Sequence, residues 1–202
     1  MRSCIYQHLQ SYPMKSEIRL KYNALRKSLS EETIEQKSLE IANNILELPI
    51  WDFDFFHIFL SIRDKKEIDT EPILHILLGK DKNVVLSKSD LRSREMKHYL
   101  LTDNTKIEVN KWGIPEPTGG IEVKPENIEV VFVPLLAFDL NGHRVGYGKG
   151  YYDVFLAGCN ENVLKIGLSF FEPEENEISG ILLSDVPLDY CVTPHKTYNF
   201  KK

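Results

Sequence analysis

The sequence predicts an α/β domain, with a mostly parallel central sheet and helices on both of its faces. Three observations carry this. Short apolar runs of strand character alternate with helical patterns along the chain, the order that builds parallel sheets. The most apolar run, 128–138, leads directly into a glycine-rich turn and a helix start, the position at which open α/β sheets gather ligands. The 202 residues are 42% hydrophobic and 27% charged, which suits one well-buried core.

In order, Ile18, Tyr22, Leu25 and Leu29 recur at helical spacing from Lys15 onward. Ser30 before Glu31 and Glu32 reads as an N-cap with acids in the first turn. The helix it opens puts Ile34, Ser38, Ile41, Ile45 and Leu48 on one stripe and ends at Pro49. Residues 55–62, FFHIFLSI, read as a buried strand. Thr70, Glu71 and Pro72 open a third helix, and Gly79 closes it. Strands are predicted over 83–88 and, more weakly, 96–101. The segment 111–120, KWGIPEPTGG, is expected to be irregular because of its prolines and glycines. The strongest strand signal covers 128–138, a short helix covers 151–158, and 164–171 returns to a strand.

The totals exclude several classes. A net charge of −5 argues against a nucleic-acid partner. Cys4, Cys159 and Cys191 are far apart and odd in number, which points away from a disulfide framework and towards a reducing cytoplasm. No apolar run has the roughly 18 residues of a membrane helix, so no membrane partner is expected. Residues 1–13 read as an N-terminal extension before Met14, leaving 14–202 as a single domain.

The chemistry concentrates in residues 138–153, FDLNGHRVGYGKGYYD. Gly146, Gly148 and Gly150 permit positive φ and close backbone approach. Arg144 and Lys149 add positive charge, and the following helix start offers free N–H groups to an anion. Asp153 suits a magnesium ion bridging phosphates. The turn is not a Walker A loop, since Gly150 follows Lys149, and its third glycine comes one residue early for the dinucleotide fingerprint. A plain glycine-rich hairpin is the alternative. His57 reads as a satisfied core residue and His143 as an exposed turn residue.

The run VPLLAFDLNGHRVGYGKGYYD resembles the signature of the 5-formyltetrahydrofolate cyclo-ligase family. Four further stretches agree in order: Lys15-x-x-x-Arg19 before LSEE, FLSIRDKKEIDTEPI, WGIPEP and LSDVPLDYCVTP. The resemblance implies a single-domain, Rossmann-like sheet, similar to that of sugar-phosphate isomerases and acyl-transfer proteins. It implies ATP-dependent closure of 5-formyltetrahydrofolate to 5,10-methenyltetrahydrofolate, releasing ADP and phosphate, with Mg2+ as the metal.

It also implies site residues. Lys15 and Arg19 belong to the ATP site, together with the turn Arg144, Val145, Gly146, Tyr147, Gly148, Lys149, Gly150, Tyr151 and Tyr152. Of these, Arg144, Lys149 and Tyr151 are the catalytic candidates. Leu60, Glu67 and Trp112 contact the folate, as does the stretch Tyr147, Gly148, Lys149, Gly150 and Tyr151. Asp153 and Asp185 match the metal ligands, and Asp189 ranks below them. The sequence departs from the pattern at Tyr147, where the family often has a cation, and in two extra residues between Ser61 and Glu67. The partner expected is a reduced folate, bound by a monomer or weak homodimer. Two other readings stay open: a different enzyme on a related sheet, and a non-catalytic folate or nucleotide binder.

Overall fold

In the computed structural model, which describes residues 13–90 and 93–201, the first helix begins where the pattern places it. Helix α1 spans Lys15–Lys27. Its buried stripe is Ile18, Tyr22 and Arg26, whereas Leu25 is exposed. The expected stripe was therefore one position out. Arg26 displaces Leu25 because its guanidinium finds acceptors inside. Residues 1–12 of the expected extension lie outside the described residues. Pro13, its last residue, is docked: Ser179 donates to its carbonyl from both backbone N–H (3.2 Å) and Oγ (2.9 Å).

Helix α2 (Glu31–Leu46) is capped as expected, with Ser30 Oγ accepting the Thr33 N–H at 3.1 Å. Helix α3 is Glu71–Gly79 and α4 is Tyr151–Ala157. The strands are β1 (Phe55–His57), β2 (Asn83–Ser89), β3 (Met96–Leu100), β4 (Ile107–Val109), β5 (Pro115–Pro117), β6 (Val130–Pro134), β7 (Ala137–Phe138), β8 (Arg144–Val145), β9 (Leu164–Leu168), β10 (Tyr190–Val192) and β11 (Thr197–Asn199).

The main sheet has 7 strands in the order β11-β10-β9-β6-β1-β2-β3. From β10 to β2 the neighbours run parallel; only the edge strands β3 and β11 are antiparallel. Successive strand residues point to opposite faces. Phe56, Val84, Phe132 and Ile166 pack with Ile41 and Ile45 of α2 and Ile73 and Leu77 of α3. Val85, Val131, Val133 and Cys191 pack with Phe155 and Leu156 of α4. Helices thus cover both faces, as expected. No helix among the described residues is long and apolar enough to cross a membrane.

Several boundaries differ. β1 stops at His57 because the chain leaves the sheet there to line a crevice. The run 128–138 breaks after Pro134, and Ala137–Phe138 joins the small β7–β8 hairpin instead. β9 ends at Leu168 rather than 171. The segment 111–120 is not wholly irregular, since β5 pairs with β4. Two prolines are tolerated there because the hairpin is a separate two-stranded sheet with no inner ladder to interrupt.

Candidate active site

The strand order reverses direction between β1 and β6: β1 leads through α3 to β2 on one side, and β6 leads through α4 to β9 on the other. Beyond the carboxyl ends of such strands an open sheet has its ligand crevice. A cavity of about 760 Å³ lies there. Its floor is Ile58, Phe59 and Leu60 after β1, Ser87 of β2 and Pro134 of β6, and its walls are the glycine turn, α1 and the loop around Asp185.

The turn forms one wall through its backbone. Among the described residues, the amide hydrogens of Tyr147, Gly148, Lys149 and Gly150 have no acceptor. Gly148 sits at φ 87°, and a Cβ there would lie 3.0 Å from the Arg19 guanidinium. Only glycine satisfies both demands. Gly146 does not take positive φ; its contribution is the carbonyl that accepts from Arg19 Nε at 2.9 Å. Helix α4 is only 7 residues long, so its dipole adds little. Lys149 is exposed and has no ion-pair partner among the described residues.

Three further cations of the wall, Lys15, Arg19 and Arg144, are already engaged, and the Lys65 ammonium lies 4.3 Å from the Tyr147 ring centroid. Lys15 is paired with Asp185 Oδ2, which also accepts the Leu182 N–H at 2.6 Å. Burial by itself raises the Asp185 carboxyl, but Lys15, the Leu182 amide and Arg144 outweigh it and hold it below the usual carboxylate range. Arg144 donates to Asp153 Oδ1 at 2.6 Å and to the carbonyl of Val186. The Val186 N–H returns to the same Oδ1 at 3.2 Å. Asp153 therefore holds the backbone directly after Asp185, and these sequence-distant carboxylates are neighbours. Each spends one oxygen on the protein, leaving Asp153 Oδ2 and Asp185 Oδ1 without a partner among the described residues. No cluster of three or more metal-ligating side chains exists among those residues. The pair fits magnesium as a carboxylate site completed by phosphate oxygens. Asp189 does not fit: it pairs with Lys165 at 2.8 Å and is not part of the crevice wall.

On the opposite wall, Glu67 is 5% exposed. Its Oε2 accepts the Ile62 N–H at 2.8 Å and its Oε1 the Tyr147 hydroxyl at 2.5 Å. Between Ser61 and Glu67 the chain makes a 3-10 turn at Arg63–Lys65, with Lys66 left-handed at φ 47°. Lys66 anchors this loop on the carbonyls of Lys27 and Leu29 at the end of α1. Trp112 stands at the rim, 52% exposed, with the Lys111 ammonium 4.3 Å from its ring centroid. Tyr151 donates to the Asp90 carbonyl at 3.3 Å. Tyr152 is packed against His57 and Phe155, where burial pushes its hydroxyl pKa up.

Of the expected site residues, Val145, like Asp189, does not line the crevice; it packs with Ile18 and Tyr22 in the core. His57 is not fully satisfied: Nε2 meets Ser87 Oγ at 2.7 Å, but buried Nδ1 makes no well-formed hydrogen bond among the described residues. His143 is half-buried, its Nδ1 held 2.9 Å from Asp139 Oδ2. Arg26 went unread, although a cation four residues after Tyr22 on an apolar stripe was a visible signal.

A parallel sheet whose carboxyl edge carries an amide-lined, cation-flanked crevice defines an α/β enzyme acting on an anionic substrate. The chain belongs to the 5-formyltetrahydrofolate cyclo-ligase family, whose model matches residues 11–194. It is 31% identical over 161 residues to the 5-formyltetrahydrofolate cyclo-ligase of Haemophilus influenzae, covering 76% of this chain and 80% of that one. The 5,10-methenyltetrahydrofolate synthetase of Aquifex aeolicus, solved by NMR, superposes with a TM-score of 0.73 at 31% identity, covering 93% of each chain. The Mycoplasma pneumoniae synthetase shares the fold, with a TM-score of 0.70 at 20% identity over 89% of this chain and 98% of that one.

Proposed function

We propose that this crevice binds ATP and 5-formyltetrahydrofolate side by side and closes the formyl group onto the neighbouring folate nitrogen. The observation that carries the reading is the row of unpaired amides at 147–150, beside the free Lys149 ammonium and across the crevice from a buried carboxylate.

A formamide carbonyl is a poor electrophile. Transfer of the γ-phosphoryl group to its oxygen, with ADP leaving, makes that oxygen a leaving group. The aniline nitrogen then attacks the formyl carbon, loses its proton, and phosphate departs as the C–O bond breaks. Both nucleophiles belong to the substrate, so the chain's work is positioning and charge stabilisation. The 147–150 amides and Lys149 cradle the phosphates, and Arg19 and Lys15 close the site from α1. Arg144 fixes Asp153, and Tyr151 borders both ligands. Glu67 accepts the paired N–H donors of the pterin, Leu60 supports the ring, and Trp112 covers it from the rim. Asp153 and Asp185 would hold a magnesium ion, which when bound would neutralise charge on the nucleotide phosphates.

The reading extends to a single domain over 14–202, working in the cytoplasm as a monomer or weak homodimer, with a free folate rather than nucleic acid or membrane as partner. The net charge of −5 and the free Cys159 and Cys191 support it. A binder that had lost turnover would be expected to lack Lys15, Arg19, Glu67 or Asp153, and all four line the crevice. Purified protein with Mg-ATP should raise absorbance in the methenyl-folate band only when the formyl folate is added. No signal at high enzyme would favour the binder.

A further inference from the structure

Arg26 is 3% exposed, on the buried face of α1 beneath the glycine turn. Its Nη2 donates to the Leu135 carbonyl at 2.5 Å and its Nη1 to the Tyr147 phenol oxygen at 2.8 Å, while Nε has no partner among the described residues. A guanidinium buried with a donor unmet is costly to a fold and calls for a reason. The reason lies one bond further on. Guanidinium groups only donate, so the phenol, accepting from Arg26, sends its single proton onward to Glu67 Oε1 at 2.5 Å. The Ile62 N–H occupies Oε2. The relay Arg26 to Tyr147 to Glu67 has a fixed direction and ends on a buried carboxylate in the crevice wall.

We propose that Arg26 is a positioning residue for the folate half of the reaction. It does not touch the ligand; through the Tyr147 phenol it holds Glu67 oriented as a bidentate acceptor for the paired N–H groups of a pterin-type ring. This rests on the folate reading of the Glu67 wall.

The test is steady-state kinetics with each substrate varied in turn. Losing a hydrogen bond to a charged group weakens binding about tenfold or more, so Arg26→Leu should raise the KM for formyl folate by about that factor. The KM for ATP should stay within about threefold. Tyr147→Phe, which removes only the hydroxyl, should reproduce the split and carries the comparison if Arg26→Leu does not fold. The double variant Arg26→Leu/Tyr147→Arg delivers a guanidinium to Glu67 from the turn and should recover most of the folate KM. An unchanged folate KM in the single variants, equal rises for both substrates, or a folded double variant without recovery would each overturn the role of Arg26. An inactive wild type removes the functional reading and this inference with it; an active wild type with an unmoved folate KM removes this one alone.

Discussion

Asp153 divides its work between two oxygens. Oδ1 takes the Arg144 guanidinium and the Val186 N–H, and Oδ2 is left for a ligand. Asn keeps the size but removes the charge and turns one oxygen into a donor. Asp153→Asn should lower kcat by about two to three orders of magnitude, the range of lost electrostatic contacts in active sites. It should also move the magnesium dependence to higher concentrations, while the KM for formyl folate changes less than about threefold. Titrating MgCl2 at saturating folate checks this. Equal loss of folate affinity, or no loss of turnover, would take Asp153 out of the metal role. Asp189, four residues after Asp185, shows why residue type alone is a weak guide: Lys165 has already claimed it. The motif marked Asp153 in the sequence. Its hold on the 185–186 backbone is tertiary and has no sequence signal. Arg26 did have one, because a charge on an apolar helical stripe needs an internal partner.

At the scale of elements, β9 shows how the sheet sets the walls of the crevice. A Cβ added at Gly167 would lie 2.6 Å from both Leu135 Cδ2 and Leu188 Cδ1. Leu135 lies between β6 and the glycine turn, and Leu188 follows the Asp185 loop. The two leucines close over the glycine, and with them the segments that carry the site. Gly167→Ala should destabilise the fold by about 1–3 kcal/mol through overpacking, read as a lower urea midpoint at unchanged slope. A midpoint within error of wild type would mean the leucines shift freely. The inner strands were legible because strands buried on both faces read as continuous apolar runs. Their ends were not. His57 and Pro134 are places where the chain quits the ladder for the crevice, and apolar residues continue beyond both. β10 and β11 are 3 residues each, too short to display a period of two. β5 was hidden by its own prolines.

Across the whole molecule the crevice follows from topology, since the strand order reverses between β1 and β6, and from sequence only that reversal's glycine turn was visible. Beneath the crevice lies a polar chain the sequence did not announce. Ser87 Oγ of β2 bridges His57 Nε2 of β1 at 2.7 Å and His98 Nδ1 of β3 at 2.9 Å. The Phe155 ring packs against both imidazoles. Burial lowers the pKa of His98 to about 4 and, with the charge of His98 adding to it, that of His57 well below its ordinary value. In the unfolded chain both titrate near ~6.5. Above that pH neither state binds the proton and stability is flat with respect to these groups. Below it the unfolded chain takes up protons that the native state refuses, so stability falls by about 1.36 kcal/mol per pH unit for His98, and His57 acts in the same direction. For His98 the fall ends near pH 4, its folded value. At pH 5 the His98 imidazole has thus removed about 2 kcal/mol relative to neutral pH. His98→Asn keeps a hydrogen-bonding partner for Ser87 and deletes one titration. Denaturation at pH 7 and pH 5 should show the variant losing about 2 kcal/mol less than wild type over that interval. Carboxylates that titrate in the same range cancel in the comparison. An identical loss in both proteins would mean that His98 is already protonated in the native state and that the buried chain is not neutral.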